Sequence, residues 1–320
     1  MNPILFALYF AAAIQSPIPP STDFTNGIVK ARVYLPDTAT GYYRSTRFDW
    51  SGVMPELEYA GHSYFGQWFP KYDPLINDAI QGPVESFDPL GYDRAKPGGS
   101  FIKIGIGALT KPDATPYSPF KYYPILDAGK WEIKRSRSGI QFRQRLDAAN
   151  YDYVYTKKMT LTPGRPELVI AHTLTNTGRE PIITDVFDHN FFMLDSQSVA
   201  PGRVLKFTFS PTAEAARGLG SLAAIQDDSI VILRPLVGKE SFYAVLHGYS
   251  AYEKDYDIRL EDRPTGAAVH ITADRPLSRL VFWGSVNVMC PEPYIHISVE
   301  PGQTITWTIR YEFYTLKPRS

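Results

Sequence analysis

The chain has 320 residues, 33 basic and 33 acidic, so its formal charge is zero, and a nucleic acid or an anionic membrane surface as main partner would call for a basic surplus or patch that the sequence lacks. Its one cysteine, Cys290, excludes an intramolecular disulfide and a cysteine-based zinc site. A hydrophobic content of 44% with 27 prolines, 21 tyrosines and 18 phenylalanines suits many short strands joined by tight turns, not long helices.

Residues 1–16 carry an uncharged apolar run, Ile4 to Ala13, too short to span a bilayer, with Ala11-Ala12-Ala13 as a small-residue cleavage point. The segment reads as a signal peptide for export to a periplasmic or extracellular space, although no Lys or Arg precedes the apolar core. The alternative is an apolar arm packed on the domain. Residues 17–23 follow as a proline-rich extended linker. Alternation then predicts a strand over 28–35. The stretch 41–54 is dense in aromatics and holds Arg44, Arg47 and Asp49. Residues 56–69 carry Tyr59, His62, Tyr64, Phe65, Trp68 and Phe69, rings that either stack on sugars or fill a core. The punctuated stretch 73–99, around Gly82 to Phe87, reads as a long loop whose apolar content argues against disorder. Residues 101–109 read as a glycine-bearing strand with Lys103. Gly105-x-Gly107 opens no helix and lacks a third glycine, so it is no nucleotide fingerprint.

From Trp131 onward the alternation is steady. Strands are predicted at 131–135, 140–146, 153–161, 167–175 and 182–193, then at 204–209, 230–235, 241–248, 257–260, 267–272, 279–283, 294–299 and 304–314. The alanine-rich stretch 212–225 is predicted as one helix. Evenly spaced strands with turns between them make one all-β domain over residues 24–318, a large antiparallel β-sandwich with few short helices.

Two stretches carry candidate chemistry. On the strand 182–193, counting by twos puts Asp185, Phe187, His189 and Phe191 on one face and Asp188 and Asn190 on the other. Burial against the rings disfavours an imidazolium at His189, whereas Asp185 favours it. Far along the chain, Glu292 stands between Pro291 and Pro293. Each proline lacks a backbone donor, so Glu292 is expected at a strand end, a bulge or a rim, held on a stiff backbone as a positioned general base should be. The six histidines, at 62, 172, 189, 247, 270 and 296, show no paired metal-ligand spacing, so no metal is expected.

The order of these elements resembles the galactose mutarotase-like (aldose 1-epimerase) superfamily. Its middle strand ends in His-Ser-Tyr-Phe-Asn-Leu, and here the chain reads Asp188-His189-Asn190-Phe191-Phe192-Met193-Leu194. Its late Cys-Leu-Glu resembles Cys290-Pro291-Glu292. Its Asp-Pro-x-Ser-Gly stretch resembles Asp262-Arg263-Pro264-Thr265-Gly266, and its closing Pro-Gly turn and strand resemble Pro301-Gly302 through Phe313. The likeness covers roughly residues 130–315. The family's earlier histidine has no clear equal, its nearest position being Lys103. Its substrate-holding arginine falls on Arg47 or Arg44, and its intervening aspartate on Asp255 or Asp257.

The resemblance implies a supersandwich fold and cofactor-free interconversion of sugar anomers. Glu292 would take the proton of the anomeric hydroxyl while His189, as imidazolium, protonates the ring oxygen, the two meeting either side of one pyranose in an open cleft. Arg47, Glu85, Lys103, Asp185, Asp257 and Trp283 would grip the substrate, a free sugar or the end of a glycan. A non-catalytic carbohydrate-binding sandwich and a sugar-phosphate mutarotase are the alternatives.

Overall fold

The structure, a computed structural model, describes residues 18–148 and 150–317, so the expected signal peptide lies outside the described residues. The described residues open with β1 (Ser21–Thr25), β2 (Val29–Tyr34), β3 (Glu56–Tyr59) and β4 (His62–Ser63), paired in that order. Next come β5 (Gly82–Phe87) and a small sheet of β6 (Ser100–Lys103), β7 (Gly107–Thr110) and β8 (Ile125–Asp127). Long strands follow: β9 (Lys130–Ser136), β10 (Gly139–Leu146), β11 (Tyr153–Leu161), β12 (Glu167–Asn176) and β13 (Ile182–Phe191). After these stand β14 (Arg203–Phe207), β15 (Thr212–Arg217), β16 (Ala223–Gln226), β17 (Ser229–Ile232) and β18 (Ser241–His247). The last are β19 (Asp257–Asp262), β20 (Ala267–Ala273), β21 (Arg279–Ser285), β22 (Val288–Val299) and β23 (Thr304–Thr315).

Two antiparallel sheets dominate. The larger runs β16-β17-β14-β19-β20-β23-β12-β11-β10-β9, and the smaller runs β15-β18-β21-β22-β13-β5. Strict alternation explains how they stack, because every second residue of a strand faces the same side. Leu168, Ile170 and Leu174 of β12 and Trp307, Ile309, Tyr311 and Phe313 of β23 turn inward against Ile182 and Val186 of β13 and Ile295 and Ile297 of β22. The fold is thus an all-β sandwich, and its only helices among the described residues are single 3₁₀ turns at Leu194–Ser196 and Glu253–Asp255. None is long and apolar enough to cross a membrane.

A second core lies on the far side of the six-stranded sheet. There the outward residues Phe187 and Phe191 of β13 and Val288 and Cys290 of β22 pack against Tyr43, Phe48, Trp50, Phe101 and Tyr123 from the first third of the chain. The aromatic N-terminal segments therefore cap the face on which His189 projects.

Four local readings change. Residues 21–23 of the expected linker belong to β1, whose hydrogen bonds with β2 pair Ser21 with Tyr34 and Asp23 with Arg32. The stretch 212–225 is not a helix but two edge strands. Gly218 and Gly220, at φ +78° and +84°, break it, and pairing of β15 with β18 and of β16 with β17 outweighs the helical preference of alanine. The predicted strand 101–109 is a hairpin, β6 turning into β7, and the loop 73–99 contains β5 as the edge strand beside β13. Gly105 is required at that hairpin turn. Its φ is +80°, and a Cβ there would lie 2.6 Å from the Asp49 carboxyl.

Candidate active site

The floor of the site is built by β13 and β22. Register pairs Phe187 with Tyr294, and an isolated bridge pairs Phe192 with Met289. Between those points the two strands are not joined by ladder bonds, and the same register sets His189 directly opposite Glu292. Pro291 and Pro293 account for the gap. The Pro291 carbonyl faces β13, where it accepts from Asn190 Nδ2 at 3.0 Å, and alternation turns Pro293 the same way. Two consecutive ladder donors toward β13 are therefore missing. Glu292 does not sit at a strand end or rim, as its proline neighbours suggested. It lies inside an interior twelve-residue strand, at an interruption that Asn190 bridges with a side-chain amide.

His189 Nε2 and Glu292 Oε1 are 3.3 Å apart, with the two residues 3% and 6% exposed. The imidazole lies flat on Phe191, centroids 3.8 Å apart, with Phe48 edge-on at 5.5 Å. Together they stand side by side on the floor of a cavity of about 580 Å³, within the range of small-molecule sites. They do not confront each other across it, because they occupy adjacent strands. Burial pushes the Glu292 carboxyl up to about 7, against the pull of Arg47 and Arg279. Burial, seconded by the Arg47 charge, holds the His189 imidazole well below its usual value. Below about pH 7 burial thus favours a carboxylic acid beside a neutral imidazole, whereas the resemblance implies the pair in its ionised form.

Arg47, Lys103, Asp185 and Trp283 line the same cavity. Arg47 pairs with Asp78 and lies over the rings of Phe48 and Phe120 at 4.7 and 4.8 Å. Lys103 is 1% exposed; its ammonium donates to the Arg47 carbonyl at 2.8 Å, to Tyr117 Oη at 3.1 Å and to Ser86 Oγ at 3.3 Å. No carboxylate lies within 4.0 Å of it among the described residues, and burial lowers it to about 7 against the pull of Asp88. Trp283 meets Trp68 edge-on at 5.4 Å, and Trp68 stacks on Phe191 at 5.3 Å. Asp185 is at the cavity's margin, 2.8 Å from His296 Nδ1 on the neighbouring strand, so its charge serves His296 and not His189.

Glu85 and Asp257 are elsewhere. Glu85 pairs in register with Asp188, and both point between the sheets, away from the cavity. It binds Lys157 Nζ and accepts from His172 Nε2 at 2.7 Å; burial opposes its ionisation, but those partners hold it down at about 2. Its neighbour Ser86 is the β5 residue that reaches the cavity. Asp257 lies on β19 in the ten-stranded sheet, 2.8 Å from His270 Nε2 and 3.3 Å from Arg259. Among the cavity residues that sequence reasoning missed are Asp78, Asp88, Tyr117, Phe120, Arg279 and Tyr294. Tyr294 was within reach, since it stands two residues after Glu292 on the same face. The others come from loops or another strand, where no periodicity marks them.

Beneath the floor, Asp188 accepts from Tyr311 Oη, and burial followed by the charge of Glu85 pushes its carboxyl up to about 7. A folded-state value raised above the unfolded one of about 3.9 gives a contribution to stability that is complete below pH 4 and lost as pH rises through 7. Asp188→Asn, which keeps the shape without the charge, is expected to flatten that dependence by on the order of 1 kcal/mol per pH unit. Thermal melts from pH 4 to 8 check it: the variant should gain on the parent as pH rises, and parallel curves refute the assignment.

The sequence matches no family model and no curated protein. Solved structures do match it in shape. An aldose epimerase homologue from C. elegans superposes with a TM-score of 0.57 at 15% identity, covering 93% of this chain and 100% of that one. A galactose mutarotase related enzyme from Lactobacillus acidophilus gives 0.55 at 12% identity, over 94% of this chain and 100% of that one. A galactose mutarotase-like protein from Lactobacillus casei gives 0.52 at 12% identity, over 92% and 100%. Identities this low speak to architecture alone. With its stacked ten- and six-stranded sheets and the cavity on the outer face of the smaller one, the chain carries the galactose mutarotase-like fold.

Proposed function

We propose that the protein interconverts the anomers of a neutral reducing sugar by acid–base ring opening at His189 and Glu292. The observation that carries this reading is the 3.3 Å contact of the two groups at the floor of an aromatic-walled cavity with room for a sugar. The anomeric hydroxyl and the ring oxygen hang on one carbon, so a donor and an acceptor standing side by side suit them. Below about pH 7 Glu292 holds the proton and His189 has a free lone pair. His189 takes the hydroxyl proton, Glu292 protonates the ring oxygen, and the C1–O bond of the ring breaks to give the open aldehyde. Rotation about C1–C2 and the reverse transfers close the ring on the other face. The same single proton serves if the roles are exchanged, with Glu292 as base and His189 as acid, so no cofactor is needed. Each transfer is worth about 10²–10⁴-fold.

The charge inventory of the walls favours a neutral sugar over a phosphorylated one. Arg47, Lys103 and Arg279 are offset by Asp78, Asp88 and Asp185, whereas a phosphate calls for converging cations without competing carboxylates. Polarimetry or exchange NMR on glucose and galactose tests the activity. Only the singly protonated pair is competent, so kcat/KM should trace a bell. Its alkaline limb falls near pH 7, where Glu292 loses its proton, and its acid limb falls well below 6.5, where His189 gains one. A rate that climbs steadily through pH 8 contradicts the pair. Saturable sugar binding without acceleration would make the protein a carbohydrate-binding sandwich instead.

A further inference from the structure

The cavity is longer than one sugar. Along β13 its wall takes in every outward residue from Asp185 to Phe191, which at a strand's 3.3 Å rise per residue is about 20 Å. The reactive pair is not central. His189 is one outward position from Phe191, where Trp68 and Trp283 close an aromatic wall, and two from Asp185 at the other end. Beyond Phe187 the lining turns polar and open. Arg279 and Asp88 are exposed there, and neither has an ion-pair partner within 4.0 Å among the described residues. Arg279 Nη2 donates to the Tyr243 hydroxyl at 3.3 Å, and the guanidinium lies 5.3 Å from the centroid of the Tyr294 ring. Phe120, 67% exposed, offers a large ring beside the Arg47 guanidinium. A flat ring and uncommitted charged groups alongside a floor several ring-widths long are what successive sugar units engage, faces on the aromatics and hydroxyls on the charges.

We propose that the substrate is the reducing end of an oligosaccharide, its last unit over His189 and Glu292 and the preceding units running along β13 toward Asp185 and Arg279. The assignment rests on the anomer-exchange reading for the reaction, but the groove can be tested apart from it. Exchange NMR gives kcat/KM for glucose, cellotriose and maltotriose, and calorimetry gives their Kd, on the parent and on Arg279→Ala. At least one trisaccharide should exceed glucose in kcat/KM by about tenfold or more, a gain set by added contacts. Arg279→Ala should shrink that trisaccharide-to-glucose ratio. A ratio near one for both trisaccharides overturns the proposal while leaving the anomer reading intact. If no sugar is accelerated, yet a trisaccharide binds about tenfold tighter than glucose and Arg279→Ala erases the difference, the groove stands and the chemistry falls. Absence of both acceleration and trisaccharide binding removes the two together.

Discussion

Glu292→Gln is expected to lower the rate of anomer interconversion by about 10²–10⁴-fold, and His189→Asn by a similar factor. Glutamine keeps the shape of the side chain and neither gives nor takes a proton at neutral pH, so the loss reports proton transfer and not packing. The two groups act on one carbon in one step, and once either is gone the other has no partner transfer to complete. The double variant should therefore be little slower than the worse single one, as for groups that act as a unit. Stability separates this from a folding defect. Glu292 is buried with its carboxyl raised to about 7, so above that pH the neutral glutamine escapes the cost of a buried charge, and its melting temperature at pH 8 should equal or exceed the parent's. A stable Glu292→Gln protein that retains full activity would eliminate the pair as the catalyst.

How far the sequence led can be judged on β13 and β22. Alternation on β13 was enough to assign Asp185, Phe187, His189 and Phe191 to one face, because a half-buried strand leaves a period of two whatever its neighbours are. It could not say which side chains on the next strand share that face. That depends on register, so Asp185 was assigned to His189 when the strand beside it supplies His296. At Glu292 a local rule misled. Prolines do exclude a strand from a fully bonded sheet interior, but they tolerate an interior strand whose ladder is opened on one side, and Asn190 makes that possible from 101 residues away. Glu85 failed by parity. Reading its surroundings as a loop hid that they form β5, where Glu85 and Ser86 face opposite ways. Charged residues on loops, such as Asp78, left no periodic trace.

Lys157→Met is expected to destabilise the fold by about 3–5 kcal/mol, the usual result of removing one partner from a buried ion pair. For a domain of this size that is a fall in melting temperature on the order of 10 °C. Lys157 has no exposed side-chain surface. From β11 in the ten-stranded sheet its ammonium reaches Glu85 on β5 at the edge of the six-stranded one, donates to the Ser51 carbonyl at 2.9 Å and lies 3.8 Å from Asp49. It thus ties the two sheets at the strand whose next residue, Ser86, enters the cavity. Methionine fills similar space but leaves Glu85 with its hydrogen bond from His172 and no ammonium, and Asp49 with no Lys or Arg within 4.0 Å among the described residues, so the cost is that of stranded negative charge. Glu85→Gln in the same chain should recover part of the loss, since the pair's worth is measured against what is left behind. The sign of the pH dependence offers a second check. In the parent, Glu85 is held at about 2, so its contribution is present above the unfolded value near 4.3 and is lost only as pH falls through 2. Without the ammonium that carboxyl rises, and its contribution becomes one that weakens as pH increases. The variant should therefore trail the parent less at pH 5 than at pH 8, and an equal deficit at both would mean that Lys157 acts through its packing alone.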